Sequence, residues 1–151
     1  MKTKIPPPIV ALVAMLLTFL SRDYLDLFYL HPHLERTLFF LFLVIGIFVI
    51  FLATKEFKAL ETTVNPMKPE KASSLVVTGI FKYSRNPMYL GLTCLILSFS
   101  IYFSSVFGIL IYTPLFIFYI TIFQIIPEEE AMKKLFIEEY KEYCSKVRRW
   151  I

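Results

Sequence analysis

Charge is scarce in this chain: 19% of its 151 residues are Asp, Glu, Lys or Arg, against 57% hydrophobic ones. A soluble domain of this length has too little interior to hide so much apolar surface, which excludes a water-soluble globule. Cysteine occurs twice, at Cys94 in an apolar run and Cys144 in a basic tail. That excludes a disulfide scaffold and a cysteine-rich zinc site. His31 and His33 flank Pro32 with no cysteine or third histidine nearby, so no metal is expected. The four glycines form no G-x-G-x-x-G, and the strand–loop–helix cradle of soluble cofactor-binding folds is missing with it. No basic run with interleaved aromatics occurs, which argues against a nucleic-acid partner.

Long apolar runs are what the chain does have. Four can be read, at about residues 5–20, 37–54, 87–103 and 106–126. None alternates strictly, so each is read as a helix rather than a strand. A helix needs about 20 residues to cross the ~30 Å hydrocarbon core. The first three are short, and local thinning or snorkelling flanks are expected to accommodate them. Only Ser104 and Ser105 separate the third from the fourth, which predicts a tight helical hairpin. Pro6, Pro7 and Pro8 stand at the entrance of the first. The stretch Leu20-Ser21-Arg22-Asp23 offers no small-x-small cleavage site, so this run is expected to stay as a span. The expected fold class is all-α. It is an integral membrane protein of about four transmembrane helices, forming a single domain over residues 1–151.

Orientation follows from the basic residues. Fourteen of the sixteen Lys and Arg fall near the N-terminus, between Lys55 and Arg85, or in the tail after residue 126. Only Arg22 and Arg36 lie on the opposite side of a four-span arrangement. The positive-inside rule then puts both termini and the second connection in the cytoplasm, facing anionic headgroups. Glycine-rich packing stripes of the G-x-x-x-G kind are absent from the spans, and the oligomeric state is left open.

Polar chemistry concentrates in two cytoplasmic stretches, and function is sought there. The loop "TTVNPMKPEKASSLVVTGIFKYSRNPMYLG" is punctuated by turn signals at Asn65-Pro66, Lys68-Pro69 and Thr78-Gly79. It ends in Ser84-Arg85-Asn86-Pro87, where Ser84 or Asn86 suits a helix cap and Pro87 the first turn. Capping does not account for Arg85, Tyr89 and Gly91. Tyr89 falls near Asn86 on one helix face, and Gly91 admits a second backbone at close range. In the tail "PEEEAMKKLFIEEYKEYCSKVRRW", Pro127 ends or kinks the fourth span. Glu128, Glu129 and Glu130 then occupy the first turn of a helix over 128–149, where the macrodipole favours carboxylates. Met132, Leu135, Phe136, Tyr140, Tyr143 and Val147 recur at helical spacing. They predict an amphipathic helix lying largely on the membrane surface. The three glutamates are also placed to pair with Arg85 or to receive a ligand's ammonium group.

Together the stretches "LVVTGIFKYSRNPMYLGL" and "EEEAMKKLFIEEYKEYCSKVRRW", separated by a helical hairpin, resemble the isoprenylcysteine carboxyl methyltransferase and phospholipid methyltransferase family. The resemblance runs from about Asn65 to Trp150. It implies a membrane-embedded transferase that uses S-adenosylmethionine without a Rossmann-type domain. It also implies a cytoplasm-facing cofactor pocket between the third helix, the loop before it and the tail. On matching positions, Leu75 and Val76 would line that pocket, with Phe81 where the family often has tyrosine. Arg85, Asn86, Pro87 and Tyr89 correspond to the "R-H-P-x-Y" motif, and Glu128, or its neighbour Glu129, to the acidic residue that contacts the cofactor. Asn86 replaces the more familiar histidine; it hydrogen-bonds but does not titrate. Gln124 stands where isoprenylcysteine enzymes carry a substrate-contacting arginine, which counts against a prenylcysteine carboxylate as acceptor.

The expected activity is methyl transfer by in-line displacement to a lipophilic, membrane-borne acceptor, either a carboxylate or a lipid amine. Gln124 and Arg148 are the candidate substrate contacts, and no catalytic base is assigned. Two other readings fit parts of the pattern. A membrane reductase using NADPH would share the "SRxPxYxG" element, and a non-enzymatic membrane protein would use its basic loops to bind lipid or a partner.

Overall fold

The computed structural model describes residues 5–24, 31–60 and 74–151. The turn signals at Asn65-Pro66 and Lys68-Pro69 lie outside the described residues, as do Lys2 and Lys4. Six α-helices follow in order: α1 (Pro7–Leu20), α2 (Pro32–Ala59), α3 (Pro87–Tyr102), α4 (Thr113–Ile120), α5 (Ile126–Leu135) and α6 (Ile137–Lys146). Two π-helical turns, Gly108–Tyr112 and Thr121–Ile125, join α4 to its neighbours. The result is one continuous helical path, Gly108–Leu135. Among the described residues, Pro7–Tyr24, Pro32–Ala59 and Gly108–Leu135 are long and apolar enough to cross a membrane, and α3 is a shorter apolar helix. The protein is thus an all-α integral membrane protein.

The helix ends depart from the apolar runs for local reasons. The second helix was expected over 37–54 and extends to Pro32–Ala59. Pro32 opens it, and the His31 side chain accepts a hydrogen bond from the His33 backbone N–H. Leu34 to Arg36 and Lys55 to Lys58 are good helix formers, so no breaker stops the helix at the edge of its apolar stretch. Pro127 does not end the fourth span. It follows the π-turn Thr121–Ile125, and the helical path runs on through it to Leu135. The tail is not one helix over 128–149. It breaks at Phe136 (φ −127°, ψ 56°), and α6 stops at Lys146, after which Val147 is extended.

α3 is the centre of the bundle. It packs along α2 on one side and against α1 and the Gly108–Leu135 helix on the other. Gly91 and Gly46 make the α2 crossing possible: a methyl group at Gly91 would stand 2.8 Å from the Gly46 carbonyl oxygen. Close packing of this kind holds helices together in lipid, where apolar burial brings little gain. Ser98 reinforces the contact by donating to the Phe39 carbonyl at 3.1 Å. The hairpin expected after α3 is present. Ser104 takes φ 46°, and Ser105 Oγ accepts from the Gly108 N–H at 3.1 Å.

Two apolar clusters result. One lies among the spans and holds Ala11, Ala14, Tyr89, Ile96, Phe116, Ile120 and Ile125, with Trp150 packed on it. The other joins the end of α2 to the 75–81 loop and α6, through Ala53, Val76, Phe81, Tyr140, Tyr143 and Val147. Tyr140 and Tyr143 of α6 are therefore covered by protein, while Leu135 and Ile137 stay exposed. The faces left for lipid are those of α1, α2 and α4, including Leu12, Phe48, Phe51, Leu115 and Phe118.

Candidate functional site

Asn86 stands at the N-cap of α3, but its side chain makes no capping bond. Ser84 Oγ instead accepts from the Asn86 N–H at 3.1 Å, fixing the turn that enters the helix. This frees the Asn86 amide to donate from Nδ2 to the Arg149 carbonyl at 2.9 Å. Pro87 follows as the first helical residue and is buried. Tyr89, two residues on, is buried and sends its hydroxyl toward α5.

The two glutamates that open α5 point to different partners. Glu128 Oε1 accepts from the Tyr89 hydroxyl and from Gln124 Nε2, both at 2.6 Å. Gln124 is buried in the π-turn Thr121–Ile125. Glu129 is buried between two guanidinium groups. Arg85 Nη2 lies 3.2 Å from its Oε1, while Arg149 reaches Oε1 through Nε at 3.0 Å and Oε2 through Nη2 at 2.8 Å. Its hydrogen bond to Glu129 raises the pKa of Arg149 further, against the effect of partial burial. Glu130 is exposed.

Arg85 is the hub. Besides Glu129 it contacts Cys144 Sγ through Nη1, and its backbone N–H donates to the Arg148 carbonyl at 3.1 Å. Its Nε is buried with no partner among the described residues. Around it, Tyr140 and Tyr143 are buried, and both hydroxyls are pushed above the ordinary tyrosine value by that burial. For Tyr140, the Glu129 charge adds to the effect. Tyr143 donates to the Phe81 carbonyl at 2.7 Å, tying α6 to the loop before α3.

Most of the expected site residues come together at the base of α3. Tyr89, Gln124 and Glu128 form one polar set, and Arg85, Glu129 and Arg149 with Asn86 a second beside it, with buried Pro87 between Asn86 and Tyr89 in the chain. Leu75, Val76 and Phe81 form the neighbouring apolar wall, where Phe81 meets Phe57 edge-on with centroids 5.4 Å apart. The side chain of Arg148 is exposed and stands outside the group. Sequence reasoning missed Arg149, Cys144 and the tether at Glu56, whose Oε2 accepts from Thr78 Oγ1 at 2.5 Å. Of the adjacent pair Arg148 and Arg149, the sequence reading named Arg148 as the ligand contact, and the structure brings Arg149 into the group instead. The extended backbone at Val147 sends their side chains different ways.

Chemically, the arrangement offers a carboxylate held by neutral donors, Glu128, beside a fully compensated one, Glu129. The N-terminus of α3 is largely satisfied within the protein: Pro87 has no N–H, the Asn86 N–H donates to Ser84 Oγ, and the Tyr89 N–H donates to the Asn86 carbonyl. None of the curated proteins and none of the solved structures compared matches the chain. The family model for phospholipid methyltransferase matches residues 34–139, from the start of α2 into α6. That match covers well over half of the sequence and takes in Arg85 to Glu129, but it stops at Glu139, before the rest of the tail. The chain belongs to the phospholipid methyltransferase family, and with it to the membrane methyltransferases.

Proposed function

We propose that the protein transfers a methyl group from S-adenosylmethionine to a lipophilic acceptor delivered by the membrane. The observation that carries this reading is the pairing of Glu128 and Glu129 with Tyr89 and Arg85 across the α3–α5 junction. The donor set suits the cofactor's charges. Its ammonium and sulfonium groups need a carboxylate whose partners are neutral, and Glu128 is bonded to a phenol and an amide. The cofactor's carboxylate needs a donor, and Arg85 Nε, buried with no partner among the described residues, can provide one. Leu75, Val76 and Phe81 would wall the adenosine side, and Asn86 and Pro87 would fix the floor.

When bound, S-adenosylmethionine supplies an electrophilic methyl group on a sulfonium. The task of this chain is to hold an incoming nucleophile in line with it and keep water out. Gln124, buried beside Glu128, faces the acceptor as a neutral hydrogen-bonding group. Arg148, exposed at the edge, can meet an acidic headgroup. An ionised carboxylate acceptor needs no base. An amine acceptor must shed a proton, and Glu128 is the better recipient because both oxygens of Glu129 are held by arginine. The site and both termini are assigned to the cytoplasmic side by the positive-inside rule.

Calorimetry on the detergent-purified protein tests the reading, titrating S-adenosylmethionine, its demethylated product and NADPH in turn. Saturable binding of the first two, with none of NADPH, is expected. Binding of NADPH alone would replace the proposal with a reductase.

A further inference from the structure

After α6 the chain turns extended at Val147, and residues Val147 to Trp150 return beneath α3. Every residue from 148 to 150 is engaged there. The Arg148 carbonyl accepts from the Arg85 N–H, and the Arg149 carbonyl accepts from Asn86 Nδ2. The Arg149 guanidinium holds both oxygens of Glu129, and Trp150 packs on the cluster that contains Tyr89. Three groups of the candidate site, Arg85, Asn86 and Glu129, are thus oriented by a four-residue strap outside the matched family region.

We infer that this strap completes the binding site and that Arg149 is its positioning residue, acting through Glu129 and Asn86. The inference rests on the methyltransferase reading for its ligand, but its geometry is independent of that reading. Glu129 is only 10% exposed, so it must be neutralised where it sits. Arg85 approaches one oxygen at 3.2 Å, whereas Arg149 clamps both. A planar fork of two N–H donors fixes the carboxylate plane in a way that a single contact, or a lysine, does not. With the carboxylate plane set, Arg85 is pinned between Glu129 and Cys144, and its backbone is pinned to the strap. Removing Arg149 leaves Glu129 free to draw Arg85 away from the base of α3. It also leaves the strap, and with it Asn86, held by the Arg148 carbonyl and Trp150 without the fork.

Trp150 is the only tryptophan in the chain, so intrinsic fluorescence reports the strap directly. The experiment uses full-length protein in detergent and compares wild type with Arg149→Ala, Arg149→Lys and the surface control Lys146→Ala. Two quantities are read: the affinity for S-adenosylmethionine by calorimetry, and acrylamide quenching of Trp150. Arg149→Ala is expected to weaken binding about tenfold or more, the loss of a charge-assisted pair, and to raise quenching. Arg149→Lys should recover part of both, and Lys146→Ala should match wild type. If Arg149→Ala does not fold, the lysine variant carries the test, because it keeps the charge and loses only the fork. Unchanged affinity and quenching in a folded Arg149 variant overturns the strap. Failure of wild type to bind the cofactor overturns the methyltransferase reading instead, and quenching still decides whether Arg149 docks the strap.

Discussion

Replacing Glu128 and Glu129 one at a time by glutamine should separate ligand binding from folding. Glutamine keeps an oxygen in place of Oε1 and removes the charge. At Glu128 the partners are the Tyr89 hydroxyl and the Gln124 amide, two neutral donors that a glutamine oxygen still satisfies. The cost to stability should stay below about 1 kcal/mol, the difference between a charge-assisted bond and a neutral one. At Glu129 the same change leaves two guanidinium groups facing a neutral amide. Breaking a buried pair costs about 3–5 kcal/mol. Arg149 is 38% exposed and partly resolvated, however, so about 2–3 kcal/mol is the better figure. For a chain of this size that lowers the midpoint of thermal unfolding by roughly 5–10 °C. The assay is thermal unfolding in detergent, followed by calorimetry with S-adenosylmethionine on whichever variant remains folded. Glu128→Gln should keep its midpoint and lose affinity by about tenfold or more, the worth of one charged contact. Equal loss of stability in both variants, or a Glu128 variant that binds like wild type, would refute the division of labour.

Three further outcomes follow from the packing. Gly91→Ala places a methyl group 2.8 Å from the Gly46 carbonyl, so α2 and α3 must separate, at a cost of about 1–3 kcal/mol read from the same unfolding curves. Tyr143→Phe leaves the Phe81 carbonyl without its donor; it should cost about 1–2 kcal/mol and speed amide exchange over residues 75–82. Because burial raises the folded-state pKa of Tyr140 and Tyr143 above the ordinary value of 10.0, their contribution is intact below pH 10 and is lost as pH rises beyond it. A midpoint that stays flat through that alkaline range would contradict the burial of both hydroxyls.

Much of this site was readable in advance because its parts are short and local. Asn86-Pro87 marks a helix start by fixed chemistry, and glutamates after Pro127 suit a first turn whatever the surroundings. Gly91 announced a close approach, yet its partner Gly46 was invisible because one glycine on each helix makes no motif. The break at Phe136 was hidden for a related reason: an aromatic residue at helical spacing reads as a buried face, not as an interruption. The tail shows the limit of the same periodicity. Its apolar face was real, but sequence alone does not say whether lipid or the Val76–Phe81 loop will cover it. Arg148 was the expected contact, and only the extended backbone at Val147 shows that Arg149 is the one turned toward Glu129.

The π-turn at Thr121–Ile125 acts as an angular offset ahead of the glutamates. Such a turn absorbs about one residue more than an α-helical turn of the same rise. Were it to tighten into regular α-helix, everything after it would rotate by about 100°, one residue's worth at 3.6 per turn. Glu128 would then point where Glu129 points now, and Glu129 would take the solvent-facing direction of Glu130. Removing one residue inside the same turn would cancel that rotation. The facing of both carboxylates thus depends on how many residues lie between Thr121 and Ile125 as well as on which residues they are.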